Sequence, residues 1–415
     1  NIVMIICTEN DKDFYKYKDK VANRKVNFSI KQIFKDWWRK FLDTYPNLNI
    51  RNVVFSNVER MLKCKTWDLG FAIFSCPNCG EEKIVPHTCK SRMCSSCGNK
   101  YNKQRETSIF TKLFRYKHRH VVFTIAEELR PFFRQDRKRF QYLFDASSIT
   151  IKYWVKEKYK KYDITPAFIS ILHTFGRNLC FNPHIHMILL DGGISNKNKD
   201  FIKIDFFSYP SFRKRFMKVL LDMLENDIGK REFRKLKNEI YLNHKDGFYV
   251  FAPPSKFKSY TELIKYVCRY VARPVMAESR IIDYDGTYVT FWYQRHNDDL
   301  VIIEKVHAFE FISRLIIHIP DKNFKQIRFY GAYHNSTKLT IDVAKFLSEE
   351  KAKVMKSLNT WKSMITLSFS INPLNVLFVT LLWSIIKVHT HKGGLYYGKW
   401  KRNTKSIKGW NFLLW

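Results

Sequence analysis

Two pairs of side chains have the types and spacing to do chemistry. His184 and His186 alternate along the apolar run Asn182-Pro-His-Ile-His-Met-Ile-Leu-Leu190, which reads as a strand with both imidazoles on one face. Tyr266 and Tyr270 stand four apart in Leu263-Ile-Lys-Tyr-Val-Cys-Arg-Tyr-Val271, so a helix stacks both phenols on one side. Two histidines on one strand can hold a metal ion, and two phenols on one helix can supply nucleophiles. Each pattern alone also fits plain packing: a hydrogen-bonded core His-x-His, or a tyrosine stripe against a neighbouring element. Taken together, the pairs point to a nuclease that attacks DNA with tyrosine.

A third cluster carries metal chemistry of another kind. Of nine cysteines, six fall between Cys64 and Cys97, and Cys76-Pro-Asn-Cys79 and Cys94-Ser-Ser-Cys97 form two Cys-x-x-Cys knuckles fourteen residues apart. Each short knuckle puts two thiolates on one side of a tight turn, and two such turns complete a tetrahedron around Zn²⁺. A reducing cytoplasm disfavours the disulfide alternative. Four thiolates leave no position open for substrate, which makes the expected role structural. Cys64, His87 and Cys89 are surplus to one such site. They can form a second site, exchange with one knuckle, or be buried thiols and a surface imidazole. Lys83, Lys90, Arg92 and Lys100 surround the knuckles, either to touch DNA or as a solvated face.

Composition narrows the partner. Lys and Arg number 73 against 38 Asp and Glu, a formal net charge of +35, and self-repulsion on that scale calls for a polyanion. Aromatic residues make up 16% of the chain, with 35 Phe, 22 Tyr and 10 Trp. Cations for phosphates interleaved with flat partners for unstacked bases suit single-stranded nucleic acid. A Lys-rich, AT-biased proteome is the bland alternative. No segment reads as membrane-spanning: the apolar run from Val376 to Ile386 is short and interrupted by Thr380 and Ser384. Ile2 to Cys7 lacks a basic leader and a cleavage site, so it does not read as a signal peptide. The expectation is a cytoplasmic, nucleoid-associated protein whose true start precedes Asn1.

The elements that must position these residues follow from periodicity and turn chemistry. Residues 29–63 read as helical through Ile33-Phe34, Trp37-Trp38 and Phe41, with a turn around Tyr45-Pro-Asn47. After the cysteine cluster come a strand at His120 to Ile125, a helix from about Arg137 to Lys160, and a strand from Ala167 to Phe175. Gly176-Arg-Asn178 reads as a turn, and His184 to Leu190 returns as the next strand, ending at Asp191-Gly-Gly193. A basic helical stretch follows from Phe212 to Lys237. The Tyr266 helix stops near Arg273-Pro274, and Ile281 to Tyr293 forms a hairpin around Asp285-Gly286. The fold class expected is α+β, a central antiparallel sheet flanked by helices behind a helical zinc-knuckle module. Expected domains are 1–105, 106–335 and a helical tail at 336–415.

The ordered segments resemble a known group, the two-tyrosine rolling-circle transposases of bacterial insertion sequences, members of the HUH endonuclease superfamily related in mechanism to Helitrons. The resemblance rests on Cys76 to Cys97, Arg119-His-Val-Val-Phe-Thr124, Leu172-His-Thr-Phe-Gly-Arg177, Asn182-Pro-His-Ile-His186 and Tyr266-Val-Cys-Arg-Tyr270. Arg273-Pro274, Ser279-Arg280 and Arg328-Phe-Tyr-Gly331 continue it, so it spans roughly residues 30–340. It implies that His184 and His186 hold Mg²⁺ or Mn²⁺, and that Tyr266 and Tyr270 are the nucleophiles. Each phenolate would leave a 5′-phosphotyrosine and a free 3′-hydroxyl, and two tyrosines allow donor and target strands to be held at once. The DNA partners implied are single-stranded element ends and target DNA.

HUH sites usually recruit a third polar ligand. His173 is the candidate, because a hairpin turning near Arg177 to Phe181 brings its strand beside His184; a hydrogen-bonded core histidine is the alternative. Arg269 and Arg273 lie near the tyrosine face, to stabilise phosphate charge or to make backbone contacts. The tail fits the resemblance less well, since Leu374 to Lys387 lacks the Cys-x-x-Cys pair it implies there. One permitted back-translation of Asn375 to Trp383, read in another frame, encodes Cys-Pro-Phe-Cys-Asn-Ser-Thr-Met. That implies a frame disruption near Leu374 and a decayed tail. The rival readings are a plasmid or phage replication initiator, with the same chemistry, and a non-catalytic zinc-dependent nucleic-acid binder.

Overall fold

The computed structural model describes residues 3–7, 28–75, 82–251, 275–295, 300–334, 336, 375–376, 379–382, 384–390 and 395–397. The chain folds as two compact units. The larger is built on a six-stranded sheet. Its strands are β4 (His118–Phe123), β5 (Ile164–Phe175), β6 (Phe181–Ser195), β7 (Phe201–Lys203), β8 (Val250–Phe251) and β12 (Ile327–Gly331). The order is β12-β5-β6-β4-β8, with β7 beside β6, and every pair is antiparallel. The α+β class expected from the sequence is the one found.

Alternation along the strands divides the sheet into two faces. Phe168 and Leu172 of β5, Ile185, Met187 and Leu189 of β6, and Val121 and Phe123 of β4 point to one face. That face packs on two long helices, α5 (Phe140–Lys158) and α6 (Tyr209–Ile228), preceded by a short α4 (Arg130–Gln135) and followed by α7 (Lys230–Asn243). The basic helical stretch expected from Phe212 to Lys237 consists of two helices, broken at Gly229. The opposite face carries Ile169, Ile171, Ile188 and Leu190 and is covered at one end by α3 (Ser95–Lys112), Leu113, Phe114 and the buried Tyr333. The Tyr333 hydroxyl lies 2.6 Å from Nε2 of His118 and accepts the amide of Phe114 at 3.2 Å.

β6 runs past the Asp191-Gly-Gly193 segment that the sequence reads as its end. A Cβ on Gly192 would lie 2.4 Å from the Phe201 ring, and one on Gly193 would lie 2.2 Å from a methyl of Ile164. The glycines are there because neighbouring strands approach too closely for any side chain, so the ladder continues to Ser195. Asp191 instead takes an ion pair from Arg119 of β4, whose guanidinium also donates to the Tyr209 hydroxyl at 2.9 Å.

The N-terminal helices α1 (Ile30–Thr44) and α2 (Asn52–Leu62) belong with this larger unit. Ser29 caps α1 by accepting the Gln32 amide at 3.1 Å. Trp37 and Phe41 then pack their rings 5.2 and 5.7 Å from Phe309 of α8 (Ala308–Ile316), and Trp37 Nε1 donates to the Gly286 carbonyl at 2.7 Å. Gly286 lies in the expected hairpin, between β9 (Ile281–Tyr284) and β10 (Tyr288–Gln294); β11 (Val301–His307) and β1 (Val3–Cys7) complete that four-stranded sheet. Residues 30–62 are thereby tied to residues 281–316 within the larger unit.

The smaller unit pairs a hairpin of β2 (Gly70–Ser75) and β3 (Glu82–Pro86) with tail strands β15 (Ser384–Thr390) and β16 (Leu395–Tyr397) in the order β16-β15-β2-β3. β13 (Asn375–Val376) and β14 (Val379–Leu382) pair with each other. The tail was expected to be helical; residues 340–370 lie outside the described residues, and where the tail is described it is strand. Its Ile, Val and Thr content favours that outcome. Among the described residues no helix is long and apolar enough to cross a membrane.

Candidate active site

The imidazoles of three adjacent strands meet on the sheet face opposite α5 and α6. On β6, His184 and His186 share the parity of Ile188 and Leu190 rather than of Ile185 and Met187. On β5, His173 stands directly opposite His184, because the turn at Gly176 to Cys180 closes the hairpin in that register. On β4, Val122 stands opposite His186 and His120 opposite Ile188. His173, His184 and His186 each offer a ring nitrogen within 4.8 Å of the others. The structure therefore brings His173 beside the other two.

The hydrogen bonds fix which nitrogens are available. His184 Nδ1 lies 2.7 Å from the Asn182 carbonyl, which can only accept, so Nδ1 carries the proton and Nε2 of the neutral ring is a lone pair. That Nε2 lies 3.0 Å from His186 Nε2. Two ligand atoms at about 2.1 Å from an octahedral ion sit about 3.0 Å apart, so the spacing fits a six-coordinate Mg²⁺ or Mn²⁺. His186 Nδ1 lies 2.8 Å from His120 Nε2, and the two rings are parallel within 4°. Presenting a lone pair at His186 Nε2 requires its Nδ1 to carry the proton and donate to His120. His120 thus stands where a metal-ligating histidine ordinarily keeps an outer partner.

Electrostatics keep His120, His184 and His186 neutral. Burial, followed by the neighbouring Arg130, holds His184 down to about 4 against a partial upward pull from the Asn182 carbonyl. Burial and the nearby His184 push His120 to about 4 as well. His186 lies well below the ordinary imidazole range, first through burial and then through His173, His184 and His120. A metal requires the neutral ring, so the environment favours ligation at neutral pH. His120 is the member of this histidine cluster that the sequence reading leaves out. Its signal was available: it alternates with Val122 on a strand that reads as buried.

A second cluster gathers four thiols. Cys64, Cys89, Cys94 and Cys97 are all buried, with sulfurs within 4.8 Å of one another. Sulfurs around a tetrahedral Zn²⁺ lie about 3.8 Å apart, so the set fits zinc. Cys94 is the N-cap of α3 and Cys97 lies in its first turn, where the helix dipole favours thiolate. The Cys89 amide points at Cys64 Sγ at 3.4 Å, and Lys65 and Lys90, which follow these cysteines, take left-handed backbone at φ 60° and 56°. The set thus draws two cysteines that the sequence leaves as surplus to the Cys94 knuckle. Cys76 and Cys79 lie outside the described residues. His87 is described but does not join the four; its backbone bonds Gly70 at 2.8 Å and Lys65 at 3.2 Å.

Tyr266, Tyr270, Arg269 and Arg273 also lie outside the described residues. They follow β8, the strand bonded to β4 beside the histidines.

Comparison with known proteins bears on both clusters. A family model described as a putative transposase matches residues 167–340, which include His173, His184, His186 and both tyrosines. A model described as a transposase zinc-binding domain matches residues 33–125, which include all four clustered cysteines. Together they account for more than half of the chain. The transposase for insertion sequence element IS801 of Pseudomonas savastanoi pv. phaseolicola is 27% identical over 307 residues, covering 69% of this chain and 72% of the relative. The putative transposase y4qJ of Sinorhizobium fredii (strain NBRC 101917 / NGR234) is 28% identical over 291 residues, covering 66% and 72%. No solved structure matches the chain. The thiol cluster together with the matched domain supports a structural zinc. The chain is a transposase of the insertion-sequence type, with a region matched to a transposase zinc-binding domain ahead of one matched to a transposase domain.

Proposed function

We propose that this transposase nicks and rejoins single-stranded DNA through a 5′-phosphotyrosine intermediate, mobilising its element by a rolling-circle mechanism. The observation that carries the reading is the convergence of His184 and His186 Nε2 atoms, 3.0 Å apart, with His173 on the adjacent strand. These residues would hold a divalent ion that polarises the scissile phosphate. The phenolic oxygen of Tyr266 or Tyr270 forms a bond to phosphorus as the bond to the 3′ oxygen breaks, and the phenol's proton ends on that oxygen. The phosphodiester energy is retained in the tyrosine ester, so a 3′-hydroxyl can reverse the step on another strand. Arg269 and Arg273 would offset charge on the phosphate.

Purified zinc-loaded protein with Mn²⁺ should form a covalent adduct on a single-stranded oligonucleotide carrying the element's end. His184→Ala should abolish cleavage and leave zinc content unchanged. A Tyr266→Phe, Tyr270→Phe double variant that still forms the adduct would overturn the nucleophile assignment.

A further inference from the structure

The sheet edge next to the histidines carries a surface that the cutting chemistry does not use. His186 on β6 stands opposite Val122 on β4, and Val122 stands opposite Phe251 on β8. Directly opposed residues point to the same face, so His186, Val122 and Phe251 form one row across the sheet. With strands about 4.8 Å apart, the Phe251 backbone lies about 10 Å from that of His186. Phe248 and Val250, each 1% exposed, point into the core on the helix side, and alternation turns Tyr249 and Phe251 toward the histidine face.

Tyr249 is built to stay there. Its carbonyl accepts both the Thr124 amide, at 3.1 Å, and the Thr124 hydroxyl, at 2.8 Å. Its ring lies parallel to that of Phe251 within 17°, centroids 6.0 Å apart, and the Arg213 guanidinium sits 5.2 Å from its centroid. Gly247 lets α6 bring Arg213 this close: with φ +83°, a Cβ there would lie 2.4 Å from the Arg213 backbone. Yet 53% of Tyr249 remains exposed. Exposed tyrosines also occur elsewhere on this chain; what sets this ring apart is its place beside the histidine row. A ring fixed in place, backed by a second ring, flanked by a cation and left open is suited to an unpaired base and its phosphate.

We propose that Tyr249, backed by Phe251, is a base-stacking platform for the single-stranded DNA that flanks the phosphate at the histidines, and that Arg213 pairs with the adjoining phosphate. The proposal rests on the reading of the histidine cluster as the cutting site. Stacking fixes where the strand lies along the row and so which phosphate reaches His184 and His186. The chain's charge of +35 supplies attraction for any nucleic acid; the platform supplies preference for unpaired bases.

The test uses full-length zinc-loaded protein without Mn²⁺, and the anisotropy of fluorescein-labelled oligothymidylate and of a labelled duplex over a range of salt. Tyr249→Ala should weaken binding of the single strand about 5- to 150-fold with its salt slope unchanged, and weaken the duplex far less. Tyr249→Phe should restore binding to near wild type. Arg213→Ala should lower the slope of log K against log salt by about 0.7. Wild-type single-strand affinity in Tyr249→Ala, failure of Phe to restore it, or equal losses on single strand and duplex would each overturn the platform. Adduct formation on the element's end with Mn²⁺ is read in parallel. If wild type forms the adduct but Tyr249→Ala binds normally, the platform fails and the cutting site stands. If wild type forms no adduct while the binding losses occur, the cutting site fails and the platform remains as a binding surface.

Discussion

His120 Nε2 lies 2.8 Å from His186 Nδ1, and this contact decides which nitrogen of His186 can face a metal. Two proton arrangements are open to the chain of nitrogens from His120 through His186 to His184. In one, His186 donates to His184 and accepts from His120; in the other it donates to His120 and leaves Nε2 open. Only the second can ligate.

His120→Ala should therefore weaken Mn²⁺ binding about 10- to 100-fold, the usual cost of losing an outer partner, and lower cleavage at limiting metal. Saturating Mn²⁺ should recover much of the rate, and zinc content should not change. Isothermal titration with Mn²⁺ checks this; unaltered affinity would mean that the contact is only packing.

The thiol geometry separates two possible zinc sets. Cys64→Ser and Cys97→Ser should each lose the zinc of the buried cluster, whereas Cys76→Ser with Cys79→Ser should retain about one zinc per chain. Elemental analysis of purified variants reads this directly. A zinc-free Cys76, Cys79 double variant would show that the ion needs the knuckle instead.

Arg314 holds a buried carboxylate. It donates to Glu304, only 4% exposed, at 2.7 Å, to Glu310, and to the Asn178 carbonyl at 3.2 Å, tying β11 and α8 to the turn that aligns His173 with His184. Arg314→Met leaves Glu304 charged and unpaired and should cost roughly 3–5 kcal/mol. Adding Glu304→Leu should recover most of that loss. Chemical denaturation of both variants tests the pair, and a double variant as unstable as the single one would rule out the charge explanation.

His318 makes stability depend on pH. Its Nε2 donates to the Leu179 carbonyl at 2.9 Å and its Nδ1 accepts from Thr174 at 3.0 Å, so the ring is neutral and fully engaged. Burial, the largest cause, holds it at about 4, with Arg137 adding to the depression. The unfolded chain takes the proton near 6.5, the folded chain near 4, so the unfolded state binds more protons between those values. Stability is full above about 6.5 and falls as pH drops toward 4, by on the order of 3 kcal/mol for this group. His318→Gln should flatten the Tm profile across that window relative to wild type. Parallel profiles would exclude His318 as a contributor.

The histidine and cysteine clusters were legible in part because period and spacing are local. Alternation put His184 and His186 on one face, the Gly176 turn placed His173 nearby, and clustered cysteines announced zinc. Partner choice was not legible. Which cysteines share an ion depends on how chain segments far apart in sequence return to each other, and Cys64 and Cys89 join Cys94 and Cys97 in space. β4 carries His118 and His120 on one face. One meets Tyr333 and the other His186, and only the tertiary neighbours tell a core histidine from a supporting one.

The sequence by itself determined the α+β class, the clustered histidines and cysteines and the basic, aromatic composition, because composition and short-range period survive in any arrangement of the chain. Only the tertiary structure decided the strand order that aligns β5, β6, β4 and β8 into one row, the continuation of β6 through Gly192 and Gly193, and the packing of α1 on α8. Those features depend on contacts between residues distant in sequence, whose free energy is set by shape and burial and leaves no periodic trace in the chain.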